Sequence, residues 1–236
     1  MEQAIQIIRA EVANNRDRII RFMRDICAIP SMESQIREVA ERIGQEMSDL
    51  GVDEVFYDSM GNILGRVGSG PRKILFDSHI DTVGIGDPAS WQWDPFKGKV
   101  ENGVLFARGA CDEKGSTPGM VYALPLIKRL GLADEFTAYY FGNIEEWCDG
   151  IAPHSLVETD KVRPDFVVIG EPTRMKVYRG HRGRLEVMAH AQGKSCHAAS
   201  PHLGSNAIYK MMRFVDSVEK MGPSIPTHEF LGQGTA

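Results

Sequence analysis

From residue 52 to residue 169 the chain alternates short apolar runs with stretches of helical periodicity. Six runs have the length and composition of strands: 54–57, 63–67, 74–77, 104–107, 137–141 and 165–169. A helix is predicted over 116–130, where Pro125 is expected either to kink the helix or to end it early. Strands that alternate with helices predict an α/β fold with a mostly parallel sheet flanked by helices.

The first fifty residues predict two helices, because apolar residues repeat there at the spacing of one helical face. The first helix is expected to end at Pro30. The second is expected to begin at a cap supplied by Ser31 or Ser34 and to close at Gly51. Both apolar faces are interpreted as parts of the core.

The composition is that of an ordinary globular protein, with 42% hydrophobic and 25% charged residues. The 27 Lys and Arg residues and 32 Asp and Glu residues give a net charge of −5, without the basic footprint of a nucleic-acid-binding protein. No apolar run reaches the roughly 20 residues that span a bilayer, and the acidic Glu2 and Glu11 do not fit a signal peptide. The four cysteines lack metal-binding spacing. We therefore expect a soluble, cytoplasmic protein with neither nucleic-acid nor membrane partners.

Metal-binding residue types follow the apolar runs. His79 and Asp81 come directly after the run 74–77. A neutral imidazole is a good zinc ligand, and a nearby carboxylate commonly fixes its orientation; taken alone, however, His-x-Asp more often marks a polar loop. Asp112 lies between the run 104–107 and the next helix, where it would either ligate two cations or cap the helix.

Two further runs end in carboxylates. Glu145 and Glu146 follow the run 137–141, and Glu171 follows the run 165–169. Adjacent like charges are costly unless solvent or a cation compensates them, so the glutamate pair indicates either a solvated turn or a metal ligand beside a general base. Ligands bind outside the carboxyl ends of strands in such sheets. The four junctions together therefore predict a site for Zn²⁺, Co²⁺ or Mn²⁺.

Five ordered motifs resemble those of the M20 metallopeptidase family, which includes acetylornithine deacetylase, succinyl-diaminopimelate desuccinylase and carboxypeptidase G2. The motifs are His79-x-Asp81, Asp112-x-Lys114-Gly115, Glu145-Glu146, Gly170-Glu171-Pro172-Thr173, and His197-x-x-x-Pro201-x-x-Gly204-x-Asn206-Ala207. The likeness covers nearly the whole chain, and the motifs suggest the branch of selenium-metabolism-linked hydrolases. It implies a zinc-peptidase-like catalytic domain over 1–179 and the start of an inserted α+β lid and dimerisation domain over 180–236.

The resemblance also implies a site with two divalent metal ions, for which zinc is favoured and cobalt or manganese are alternatives. Asp112 would bridge the two ions. His79 and Glu171 would complete one metal site, and Glu146 would belong to the other. The family supplies one more histidine ligand from a later part of its sequence.

Two catalytic residues and one backbone feature follow from the same resemblance. Asp81 would hold His79 in place, and Glu145 would be the general base on a metal-activated water. The peptide bond between Asp112 and Glu113 is expected to be cis.

The predicted lid carries a strand over 184–191 and an amphipathic helix over 207–218. By resemblance, His197 would reach the active site of the other subunit of a homodimer and stabilise an oxyanion there. Asn206 would contact substrate. The lid is shorter than that of the family, so we expect the N-terminal part of a longer enzyme, inactive on its own.

The function predicted from these motifs is metal-dependent hydrolysis of the amide bond of an N-acyl amino acid or a small peptide. The alternative is a non-catalytic binding or assembly fragment that keeps the shape of the family. A general base at Glu145 separates the two, since a pure metal scaffold does not need one. The acyl group and the amino acid are not encoded in these motifs.

Overall fold

The computed structural model of the chain describes residues 2–32, 35–146, 150–178 and 180–235. The chain divides into two compact units, Met1–Arg174 and Met175–Ala236. Ser34, a predicted helix cap, and Arg179, the end of the predicted catalytic domain, lie outside the described residues. In the described part of the chain, no helix is long and apolar enough to cross a bilayer.

In the first unit, α-helices and strands alternate along the chain. The helices are α1 (Glu2–Ala28), α2 (Arg37–Asp49), α3 (Thr117–Arg129) and α4 (Ile151–Glu158). The strands are β1 (Glu54–Tyr57), β2 (Ile63–Val67), β3 (Arg72–His79), β4 (Lys99–Glu101), β5 (Val104–Phe106), β6 (Phe136–Asn143) and β7 (Phe166–Ile169). The bounds of β1 and β2 agree with the sequence prediction, and β3 extends two residues past the predicted run, so that it ends on His79.

Five of these strands form one sheet in the order β1-β2-β6-β3-β7. Strands β6, β3 and β7 are parallel, whereas β1 and β2 form an antiparallel hairpin that pairs antiparallel with β6. Parallel neighbours need crossover connections, and α3 and α4 lie in the connections that lead to β6 and β7. The fold is therefore α/β, with helices flanking a sheet whose site-bearing strands are parallel.

The core occupies both faces of this sheet, because successive residues of a strand point to opposite sides. Ala138 and Tyr140 share a buried cluster with residues of α1, α2 and α3. Tyr139 and Phe141 belong to a second cluster, which includes Leu156 of α4. Burial on both faces explains why this stretch reads as a continuous apolar run.

The cap of α2 differs from the sequence prediction. Ile36 is its N-cap, and no side chain caps the helix. Ser31 is fully buried, and its carbonyl accepts a hydrogen bond from the N–H of Thr82, in the loop after β3. The capping prediction for Ser31 is wrong, because this residue is held against that loop rather than at the start of the helix.

The structure of the segment between β5 and α3 excludes the alternative that Asp112 caps the next helix. The N-cap of α3 is Ser116, so Asp112 is not a helix cap. The peptide bond between Asp112 and Glu113 is cis, as the resemblance implies. Pro125 lies inside α3, which continues to Arg129, so the proline does not end the helix.

The second unit contains helix α5 (Ala207–Met221) and a short hairpin of β8 (Thr227–His228) and β9 (Gly232–Gln233). The predicted strand over 184–191 does not form, because a strand needs a hydrogen-bonded partner and this stretch has no ladder among the described residues. None of the described residues of this unit is buried. Its assignment as a lid domain stays a prediction.

Candidate metal centre at the carboxyl ends of the parallel strands

Strand pairing brings the predicted site residues to one edge of the sheet. In the parallel ladders His79 pairs with Asn143, and Asp77 pairs with Ile169, so β3, β6 and β7 end side by side. The loops that follow these strands carry Asp81, the two adjacent glutamates and Glu171. The topology therefore places these residue types at the edge where α/β sheets bind ligands.

His79 is held by Asp81 on one side of its ring. Its Nδ1 lies 3.0 Å from the carbonyl oxygen of Asp81 and 3.3 Å from the Oδ1 of the same residue. Both side chains are buried. The Asp81 carboxylate also accepts the backbone N–H of Glu146, with N···Oδ1 at 3.3 Å, which ties the loop after β3 to the loop after β6. The contacts of His79 Nδ1 with Asp81 orient the ring so that Nε2 is the atom presented to the site.

Three carboxylates surround His79 Nε2. The nearest is Asp112, whose Oδ1 lies 3.0 Å away, followed by Glu113 Oε2 at 3.9 Å and Glu171 Oε1 at 4.0 Å. Burial opposes a charged imidazole, but the hydrogen bonds to Asp81 and Asp112 and the charge of Glu113 outweigh it and raise the pKa of His79 to about 10. The surroundings of Nε2 therefore stabilise positive charge.

The pKa of Glu171 depends on the charges of the other predicted ligands. Burial raises the pKa of its carboxyl; His79 lowers it, and the negative charges of Asp112 and Glu146 raise it. The ionisation of Glu171 is therefore sensitive to the charges of the other predicted ligands. The structure thus places Asp112 Oδ1 and Glu171 Oε1 3.0 Å and 4.0 Å from His79 Nε2, and it links Glu146 to this group through its backbone N–H and Asp81.

Glu145 differs from its neighbour Glu146. Its backbone N–H donates to Asn143 Oδ1 at 2.9 Å, which fixes the start of the loop after β6. Its Oε2 is buried and has no hydrogen-bond partner among the described residues. A buried carboxylate oxygen without a partner is costly, and such atoms occur where a ligand or water completes the site.

Two buried acids near the site were not predicted from the sequence. Glu113 is 1% exposed. Its Oε2 accepts a hydrogen bond from the backbone N–H of His79 at 3.2 Å, and its Oε1 accepts one from the Ser116 hydroxyl at 2.5 Å. Burial raises the pKa of Glu113 to about 8 and that of Asp77 to about 7. The sequence signal was weak, since a carboxylate next to Asp112 is normally expected in solvent.

These side chains fit a divalent cation. His79, Glu113 and Glu171 each offer one ligand atom, and the three atoms lie within 4.8 Å of one another. An imidazole nitrogen with several carboxylate oxygens is a donor set for Zn²⁺, Co²⁺ or Mn²⁺. In the loop after β6, the buried Glu145 oxygen is free to accept a hydrogen bond from a group outside the described residues.

The remaining predicted residues lie in the second unit. Asn206 is the N-cap of α5, where its Oδ1 accepts the N–H of Ile208 at 2.9 Å. His197 is exposed, and its Nδ1 accepts the N–H of Ala199 at 3.1 Å. The roles of Asn206 in substrate binding and of His197 in catalysis stay predictions.

Comparison with known proteins gives one family model and several relatives that match most of this chain. The family model described as Peptidase family M20/M25/M40 matches residues 75–230. The uncharacterized protein YgeY of Escherichia coli (strain K12) is 44% identical over 216 residues, covering 91% of this chain and 54% of YgeY. A succinyl-diaminopimelate desuccinylase of Methylocella silvestris is 32% identical over 188 residues, covering 74% of this chain and 45% of that protein.

The crystal structure of human carnosine dipeptidase 1 shares the fold. The two chains superpose with a TM-score of 0.56 at 21% identity, over 71% of this chain and 40% of the dipeptidase. The chain spans about half the length of the curated relatives it matches.

Proposed function

The chain belongs to peptidase family M20/M25/M40, and on that premise we propose that it acts in metal-dependent hydrolysis of the amide bond of an N-acyl amino acid or a small peptide. One observation carries the proposal. His79 Nε2, at the end of β3, faces the carboxylate of Glu171 after β7 and that of Asp112 in the segment before α3, and Asp81 fixes the opposite side of the ring. This arrangement suits a catalytic metal centre.

In this proposal the chain holds two divalent cations, with zinc favoured and cobalt or manganese as alternatives. His79 and Glu171 would hold one ion, Glu146 would hold the other, and Asp112 would be a ligand of both. A divalent cation bound there would supply polarisation of the substrate carbonyl and a more acidic water at neutral pH. The mutual charge influence of Glu171, Asp112 and Glu146 supports a shared site.

Glu145 is the proposed general base. Its carboxylate takes a proton from the attacking water and returns that proton to the leaving amine. The buried, unpartnered Oε2 supports this role, because a base must keep one oxygen available for the reacting water. Asp81 acts through His79 by holding the ring in one orientation.

The substrate class follows from what the relatives' names say of those proteins. One relative is a succinyl-diaminopimelate desuccinylase, which by its name removes an acyl group from an amino acid. An amide substrate of this kind has a carbonyl for the metal centre and an amine leaving group for the proton from Glu145. N-acyl amino acids are therefore the first substrates to test, and dipeptides the second.

The second unit is proposed to serve assembly and substrate contact. Helix α5 has an exposed apolar face on which Ile208, Met212 and Val215 are 68%, 60% and 57% exposed, and this face suits the contact of a homodimer. In such a dimer His197 would stabilise the oxyanion in the partner's site. Asn206 would bind substrate in addition to capping α5.

The test is an amine-release assay on the full-length protein that includes residues 1–236, because the 236-residue chain alone is predicted to be inactive. The protein is stripped with a chelator and reloaded with Zn²⁺, Co²⁺ or Mn²⁺, then offered a panel of N-acetyl and N-succinyl amino acids and dipeptides. We expect turnover that requires metal and that His79→Ala abolishes. Metal binding without turnover on any panel member would favour the alternative, a non-catalytic binding fragment.

A further inference from the structure

We propose that Glu113 is an additional ligand of the cation at His79, and that it strengthens binding of Mn²⁺ more than binding of Zn²⁺. The inference rests on the proposed function in one respect, that the site takes a divalent cation. It adds a residue that the sequence motifs do not assign. The site would then present three carboxylates, Asp112, Glu113 and Glu171, to one imidazole.

The distances place Glu113 as favourably as Glu171. Ligand atoms that each lie about 2.1 Å from one cation are at most about 4.2 Å apart. From His79 Nε2, Glu113 Oε2 lies at 3.9 Å and Glu171 Oε1 at 4.0 Å, so both satisfy this limit. The ligand atoms of all three residues lie within 4.8 Å of one another, so closure of the set needs a shift of only a few tenths of an ångström.

The Glu113 carboxylate is also held in the required orientation. Ser116 donates its hydroxyl to Oε1 at 2.5 Å, which anchors one oxygen away from the cation position. The other oxygen, Oε2, accepts a hydrogen bond from the backbone N–H of His79 at 3.2 Å. Oε2 is therefore the oxygen on the side of His79. A ligand whose rotamer is locked by such contacts binds a metal without a large loss of side-chain entropy.

The charge balance favours a cation beside Glu113. The side chain is 1% exposed, and a buried carboxylate is costly unless it is paired. Among the ion pairs of the described residues, its basic partner is His79, which Asp112 and Glu171 share. When all three carboxyl groups are ionised, their negative charge exceeds the single positive charge of the imidazole, and a divalent ion would offset the excess.

Gly170 makes room for this arrangement. A Cβ atom at that position would lie 2.4 Å from Glu113 Oε1 and 2.5 Å from Ser116 Oγ, both closer than real contacts allow. The glycine before Glu171 thus lets Glu113 lie directly against the end of β7. An alanine there would displace Glu113 without changing any ligand.

The preference between metals follows from the donor types. Carboxylate oxygens suit Mn²⁺, whereas zinc sites commonly have four ligands and accept nitrogen and sulfur donors readily. An extra buried carboxylate therefore contributes more to Mn²⁺ binding than to Zn²⁺ binding. Its loss should be visible in the ratio of the two affinities.

The experiment measures binding of Mn²⁺ alone and Zn²⁺ alone to the full 236-residue chain, to Glu113→Gln and to Gly170→Ala. Free Mn²⁺ is read by electron paramagnetic resonance, and Zn²⁺ by competition with a chromophoric chelator. Gly119→Ala is the matched control, because Gly119 lies in α3 and a Cβ there would meet nothing within 4 Å. Circular dichroism of the metal-free proteins reports folding.

We expect Glu113→Gln to weaken Mn²⁺ binding at least tenfold and Zn²⁺ binding by a smaller factor. Gly170→Ala should likewise weaken the binding of both metals, and that of Mn²⁺ more. The control should stay within twofold of the wild type. A folded Glu113→Gln that loses less than tenfold in Mn²⁺ affinity, or that loses as much in Zn²⁺ affinity, overturns the inference. If that variant does not fold, Gly170→Ala is judged by the same criteria. Wild-type protein that binds neither metal would instead overturn the proposed function.

Discussion

Glu145 and Glu146 are neighbours in the sequence, but their environments differ. The backbone N–H of Glu146 is bonded to the Asp81 carboxylate, so this residue is tied to the group that orients His79. The Glu145 carboxylate has a buried oxygen without a partner among the described residues. The two residues are thus suited to different tasks, a ligand and a base.

The first prediction separates these two tasks. Glu145→Gln should leave the metal content nearly unchanged and lower kcat by about 100-fold or more, the scale of lost general-base catalysis. Glu146→Gln, the matched variant at the next position, should lose metal. Metal content by mass spectrometry and kcat from the amine-release assay check both variants. Loss of metal in Glu145→Gln alone would show that the roles are reversed.

The sequence predicts site residues well where the residue types and their spacing are typical of metal sites. It predicts them poorly where the role of a residue depends on its burial in the folded protein. His79 and Asp112 were predicted as partners, and their side chains lie 3.0 Å apart. Glu113 was missed because burial of a carboxylate depends on what packs over it. Here the cover includes Gly170, directly after β7, which lies 57 residues further along the chain.

At the scale of elements, a buried ionic network joins the three helices on one face of the sheet. Glu46 of α2 is 3% exposed and accepts hydrogen bonds from Arg18 of α1 at 2.8 Å and from Tyr122 of α3 at 2.5 Å. Arg42 donates to its other oxygen at 2.9 Å. Removal of Glu46 would leave all three donors without this partner.

The second prediction concerns this network. Glu46→Ala should lower the free energy of unfolding by about 2–3 kcal/mol, somewhat less than for a fully buried pair because both arginines remain partly exposed. Glu41→Ala on the same helix removes an exposed pair with Arg37 and should change stability by about 0.5 kcal/mol or less. Urea unfolding followed by circular dichroism measures both. Equal effects of the two variants would contradict a special role of the network.

Element boundaries could be predicted where local chemistry sets them. Strand β2 was predicted with its observed bounds, because turn-forming residues flank an apolar run on both sides. The strand over 184–191 was predicted from alternation alone and is absent, since β structure depends on a partner strand. The cap of α2 was missed for a similar reason, because a tertiary contact holds Ser31 elsewhere.

At the scale of the whole molecule, the two units differ in how much they bury. The first has cores on both faces of its sheet. The second has no buried residue among those described, although α5 is amphipathic, with apolar residues at the spacing of one helical face. An amphipathic helix without a buried face favours association with another surface.

The third prediction tests this association. Met212→Lys should convert a homodimer of the protein into monomers, because it places a charge in the middle of the apolar face. Ser217→Lys adds the same charge on the polar side of α5 and should leave the dimer intact. Sedimentation velocity distinguishes the two states. A wild-type protein that is monomeric, or a Met212→Lys variant that remains dimeric, would contradict the proposed interface.

The carboxyl ends of β3, β6 and β7 are proposed to form a divalent metal centre around His79. The most direct measurement is an anomalous difference map from crystals of the protein grown with Zn²⁺. We expect a peak about 2 Å from His79 Nε2 and in contact with Asp112 and Glu171, as zinc–ligand distances require. A peak elsewhere in the chain, or none at this edge of the sheet at saturating zinc, would contradict it.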